Sequence, residues 1–235
     1  MLSILLLQGA QGVVIETSGI AAKTTRAAVE LNFFDLALKG GWIMIPIIGL
    51  GIVALFIFGE RYYTIRKASK IDNNFMDHIK SLIHKGKVDD ALMLCRSTDT
   101  PVARMIEKGI SRIGRPLNDV NTAIENVGNL EVSKLEKGFP ALASVSGGAP
   151  MLGFLGTVMG MVQAFYNMST AGSNVDVTIL SGGIYLAMVT TVAGLIVGIT
   201  AYFAYNILVA KVDSVVFNME ATTSEFMDLL HEPAK

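Results

Sequence analysis

The chain has 235 residues, 51 % of them apolar, a mean hydropathy of +0.51 and a formal net charge of −1. So sparse and balanced a charge gives no electrostatic footprint for nucleic acid, and a single cysteine, Cys95, excludes a disulfide framework within the chain. The charges are segregated and leave three long charge-free runs, which points to a membrane protein rather than a soluble enzyme.

Residues 1–39 hold the short apolar run from Ile4 to Leu7 without a basic flank before it. That run is shorter than the ~7–15 residues of a cleavable signal, so the segment reads as an uncleaved periplasmic or interfacial one, with a helix through 21–38. Residues 40–59 are the first charge-free run, with Trp42 at one end and Tyr62 and Tyr63 beyond the other, as suits two membrane interfaces. A helix rising ~1.5 Å per residue needs about 20 residues to cross ~30 Å of hydrocarbon, so this run is one crossing.

Residues 60–138 read as helical throughout. Ile71, Phe75, Ile79, Leu82 and Ile83 recur at helical spacing up to Gly86, and 88–95 and 101–113 give two more short helices before the break at Gly114 and Pro116. Beyond it Val120, Ile124, Val127, Leu130 and Leu135 form a stripe leading to the second crossing, 139–168. With no cap or turn between them, one continuous helix is expected, kinked at Pro140. A short loop, 169–178, contains Asp176, and the third crossing, 179–210, runs on into 211–235, where Val212, Val215, Val216, Met219, Phe226 and Leu230 keep a stripe. The fold class is all-α: an integral membrane helical bundle with three transmembrane helices, two of them extended into the cytoplasm.

Orientation follows from the basic residues. Arg61, Arg66, Lys67, Lys70, Lys134 and Lys137 lie beside membrane ends of the long loop, whereas 169–178 has neither Lys nor Arg. The positive-inside rule places the long loop and the C-terminus in the cytoplasm and the N-terminus outside. Cys95 is then an unpaired cytosolic thiol.

The second and third crossings are rich in small residues rather than Leu and Phe. Gly153, Thr157, Gly160 and Ala164 share one face of the second, where Gly156 and Gly160 also form a GxxxG pair. Gly183, Ala187, Thr191, Gly194 and Gly198 share one face of the third, with Thr190 beside it. On spacing alone these faces fit either close helix packing or the narrow, wettable wall of a pore. Three spans are expected to leave such faces partly uncovered, which calls for a closed homo-oligomer with these two helices innermost. None of the three crossings contains Asp, Glu, His, Lys or Arg, so the chain lacks the titrating group that proton transfer through low dielectric requires. There is no HExxH, and His78 and His84 do not share a helix face cleanly, so neither a metal site nor an organic cofactor is expected. A non-conducting scaffold is the alternative class; an intramembrane enzyme or a one-chain transporter has no support in the residues.

The runs GFLGTVMGM at 153–161, followed by Ala164 and Phe165, and GGIYLAMVTTVAGL at 182–195, followed by Tyr205 and Asn206, resemble the second- and third-helix signatures of the ExbB/TolQ/MotA proton-channel family. Glu60 and Arg61 after the first span agree, and three spans match the ExbB/TolQ branch. The resemblance, from about Phe33 to the C-terminus, implies a pentameric stator in the bacterial inner membrane and an ExbD/TolR-like single-span partner that supplies an intramembrane Asp. It also implies a TonB/TolA-like periplasm-spanning protein that receives the work. It maps the family's pore threonines onto Thr157 and Thr191 and its third-helix asparagine onto Asn206, and implies that these residues, together with Thr190, line the pore. Where many relatives carry glutamate five residues before the third-helix threonine, this chain has Leu186.

Overall fold

A computed structural model describes residues 41–70, 74–170 and 177–231. Expectations for 1–39, Ile71 and Asp176 lie outside the described residues. Among the described residues there is no strand, and three stretches are long and apolar enough to cross a membrane.

Helix α1, Met44–Ala68, makes the first crossing and continues about two and a half turns beyond Gly59, with Arg66 and Lys67 at its end, where cations complement the helix dipole. Three short helices follow, α2 (Phe75–His84), α3 (Val88–Ser97) and α4 (Pro101–Ile110). Gly86, at φ +71°, closes α2: its N–H reaches Ile83 O and that of Lys87 reaches Leu82 O, the paired bonds of a Schellman end. At α4 the Thr100 hydroxyl accepts the Ala103 N–H and Pro101 takes the first helical position, where a missing N–H costs nothing.

The continuous helix expected from 117 into the second crossing is two helices, α5 (Leu117–Leu135) and α6 (Phe139–Thr170). The break is at Gly138, whose φ of +91° no L-residue adopts cheaply, and not at Pro140. Pro140 falls in the first turn of α6, where the backbone N–H has no helical partner to lose. Helix α7, Val177–His231, fulfils the other half of the expectation as one 55-residue rod, about 80 Å long at ~1.5 Å per residue.

The polar-end half of α7 is the axis of the assembly outside the membrane. Leu208, Val212, Val215, Met219 and Phe226 are buried there in one core with Ile106 and Ile110 of α4 and Val120 and Ile124 of α5. Packing is tight enough that a Cβ on Gly109 would lie 2.6 Å from Phe226 Cε1 and 2.7 Å from Ile124 Cδ1. This core fixes the angle at which the membrane half of α7 leaves it, and so positions the hairpin of α6 and α7.

Candidate functional site

The small faces of α6 and α7 meet each other. A Cβ built on Gly153 would lie 2.9 Å from Thr190 O and 3.1 Å from Thr191 Cα, and one on Gly194 would lie 2.5 Å from Ala149 O. Gly160 packs on Ala187 and Gly183 on Ala164, while the Thr190 side chain fills the space above Gly156. Gly198 makes room for the Pro150 ring and for Ser146 O, the carbonyl that Pro150 leaves without its i+4 donor. Most of the stripe is thus buried within one chain, and Thr157, Gly183 and Thr191 are left partly exposed at its edge.

The threonines divide by environment. Thr190 is 2 % exposed, and its hydroxyl donates to Ala187 O at 2.8 Å. In the single chain it is enclosed between the helices. Thr191 is half-buried, and its hydroxyl lies 3.1 Å from Gly153 O across the interface and 3.4 Å from its own Ala187 O. Thr157 is also half-buried and bonds only backward, to Phe154 O at 2.6 Å. Asn206 is exposed and donates to Tyr202 O at 2.9 Å.

Helix geometry places Thr157 and Thr191 on one flank. At about 100° per residue, Thr191 and Val197 lie on opposite sides of Gly194, and α1 occupies the Val197 side, where Gly51 would bring a Cβ within 3.3 Å of Val197 Cγ2. Thr191 therefore faces away from α1. Two right-handed antiparallel helices turn their matching flanks to the same side, so Thr157, four residues after Gly153, edges the same open face. Phe154, Met161, Met188, Leu195 and Tyr202 surround the threonines there, all exposed in the single chain. Met161 and Met188 make that wall deformable.

Outside the membrane an ion network joins the first crossing to the polar helices. Glu131 is 4 % exposed and accepts from Arg104 Nη2 at 2.7 Å and from Lys134 Nζ at 2.6 Å. Arg104 also reaches Asp99, which pairs with Lys67 of α1 at 2.8 Å, and Arg61 Nη1 donates to Lys134 O. Burial pushes the Glu131 carboxyl up, but the bonds from Arg104 and Lys134 outweigh it and hold the group below its ordinary value. Burial likewise disfavours the Arg104 charge, and the bonds to Glu131 and Asp99 reverse that, so its value is raised. The hydrogen bond with Lys67 comes first among the causes holding Asp99 low. Sequence reading missed this network, because its members are spread from position 61 to 134 and only the fold brings them together. Burial pushes the Cys95 thiol up to about 12, so it is an inert core residue. Among the described residues no group of His, Cys, Asp and Glu could hold a metal ion.

Comparison with known proteins agrees with this architecture. Residues 97–221 match the model of the MotA/TolQ/ExbB proton channel family. The chain is similar to an ExbB homolog of Methanothermobacter thermautotrophicus, named for biopolymer transport, at 29 % identity over 81 % of this chain and 69 % of the relative. It is also similar to the Tol-Pal system protein TolQ of Haemophilus influenzae, at 28 % over 87 % of this chain and 96 % of the relative. The biopolymer transport protein ExbB of Neisseria gonorrhoeae shares 29 % over 63 % and 70 % respectively.

Proposed function

Since the chain belongs to the MotA/TolQ/ExbB proton channel family, we propose that it is the multi-span stator subunit of a proton-driven motor in the bacterial inner membrane. Five copies form a ring with α6 and α7 innermost and α1 outward. Thr157, Thr191 and Asn206 line the central space. An ExbD/TolR-like single-span subunit stands within it and brings the intramembrane Asp, and proton flow turns one set against the other. A TonB/TolA-like protein carries the work across the periplasm. The N-terminus is periplasmic and the polar helices and C-terminus are cytoplasmic, with no nucleic-acid partner and no cofactor.

The observation that carries this reading is the open flank of Thr157 and Thr191 on a hairpin whose crossings, 139–168 and 179–210, contain no Asp, Glu, His, Lys or Arg. Threonine can hydrate a path or bond a carboxyl but does not titrate near neutral pH, so the group that binds and releases the proton comes from a partner. Outside the membrane Phe217, Leu130 and Met93 are 70 %, 62 % and 68 % exposed in the single chain and are open to contact with a neighbouring copy. Each proton carries about 2.3 kcal/mol per 100 mV, so mechanical work draws on several.

The test is proton flux into vesicles holding this chain, a single-span partner encoded with it, or both. Flux is expected only with both. Flux through this chain alone would overturn the division of labour. The second reading, a non-conducting scaffold, is favoured by the commitment of the Thr191 hydroxyl to Gly153 O, and it predicts a stable complex with no flux at all.

A further inference from the structure

On the side of α7 opposite the threonines, α1 and α7 do not close against each other. A groove of about 520 Å³ runs between them, within the ~300–1,000 Å³ range of small-molecule sites. Gly51, Ala54, Ala201 and Ala204 form its floor and are too small to fill it, while Leu55 and Phe203 stand at its rim, 63 % and 61 % exposed. Thr200 brings a single hydroxyl to an otherwise hydrocarbon lining.

The rows that line this groove end in cations. Lys211 lies eleven residues, or three turns, beyond Thr200 on α7, and Arg66 eleven beyond Leu55 on α1, so each continues its row to the polar end. Lys211 is the first charged residue on α7, and its Nζ sits 5.0 Å from the centroid of the Tyr62 ring, one turn past Phe58. A lysine over a tyrosine at the end of an apolar run marks the headgroup level of a bilayer. Among the described residues neither Lys211 nor Arg66 forms an ion pair: Glu60 is taken by Arg61, and Asp213 projects from the other face of α7. The site thus offers hydrocarbon along its length and uncompensated positive charge at one end.

We propose that this groove is a binding site for an anionic phospholipid of the leaflet beside the polar helices, one acyl chain lying over Ala54 and Ala201 and the phosphate meeting Lys211 and Arg66. The charge complementarity selects a lipid over a second copy of the chain, since nothing acidic on α6 or the membrane half of α7 could face these cations. A lipid held there wedges α1 against α7 and sets the tilt of the first span, independently of whether the ring conducts protons.

The full assembly, with whatever partner co-purifies, is extracted from vesicles of equal phosphatidylglycerol and phosphatidylcholine, and retained lipid is read by native mass spectrometry. Each basic residue at an anionic surface contributes about fivefold, so phosphatidylglycerol is expected to be retained roughly 25-fold over phosphatidylcholine. In Arg66→Gln with Lys211→Gln that preference falls to near parity while circular dichroism and oligomer mass stay unchanged, because both positions lie outside the core. Ala204→Trp, which fills the groove, displaces both lipids. Equal retention by the unmodified protein, unchanged preference in the double variant, or full retention in Ala204→Trp would overturn the proposal. So would efficient oxidative cross-linking of Leu55→Cys between copies, since a second copy would then cover the groove.

Discussion

The hydroxyl of Thr191 lies 3.1 Å from the carbonyl oxygen of Gly153 on the facing helix, and the backbones meet there because Gly153 has no side chain. One group thus closes the hairpin while standing at the edge of its open flank. A Thr191→Val, Thr157→Val double variant keeps the volume and removes both hydroxyls. Membrane interhelical hydrogen bonds average ~0.6 kcal/mol, so assembly is expected to survive and proton flux with the partner to fall at least tenfold. Unchanged flux in that variant would remove these residues from the channel.

The glycines of the hairpin are expected to separate sharply by position. Gly194→Ala drives a Cβ to 2.5 Å from Ala149 O, a backbone atom that cannot step aside, at a cost of about 1–3 kcal/mol or loss of the hairpin. Gly147→Ala and Gly182→Ala, with nothing within 4 Å of the new Cβ, are expected to be neutral or slightly stabilising. Thermal unfolding of the purified protein in detergent ranks the three.

Glu131 makes the polar region acid-sensitive. Its folded value is held below the unfolded one, so its contribution is complete above the unfolded carboxyl value near 4.5 and is lost as pH falls through the lower folded value. Glu131→Gln is expected to cost about 2–3 kcal/mol, less than the ~3–5 of a fully buried pair because Arg104 is part-exposed, and to flatten the acid limb of stability against pH. An unaltered acid limb in denaturant titrations would show that the network does not hold the fold.

Gly138→Ala tests the junction between α5 and α6. At φ +91° an L-residue is strained, and its Cβ would also lie 3.3 Å from Ile57 Cγ2, so a loss of about 1–2 kcal/mol is expected. If the variant is as stable as the parent, the two helices can fuse into one rod.

Sidedness is open to labelling with an impermeant thiol reagent, but native Cys95 is a poor reporter, being buried with its thiol pushed up to about 12. In a Cys95→Ala background, Ser173→Cys is expected to label from outside intact cells and the exposed Lys85→Cys only after lysis. The opposite pattern inverts the topology derived from the basic residues.

The sequence by itself determined that the chain is helical, crosses the membrane three times and has no Asp, Glu, His, Lys or Arg within the crossings. Those properties depend on charge-free length and helical period, which are local and additive along the chain. It also placed Gly153, Gly160, Ala187 and Gly194 on small faces. Only the tertiary structure decided that these faces bury each other in one chain, that Thr190 is enclosed while Thr157 and Thr191 edge an open flank, and that α5 and α6 are separated by a break at Gly138. It alone joined Lys67, Asp99, Arg104, Glu131 and Lys134 into one network. The physical reason is the same for each: the periodicity of a helix says which residues share a face, but which face another helix covers depends on how segments distant in the chain fit together at van der Waals contact.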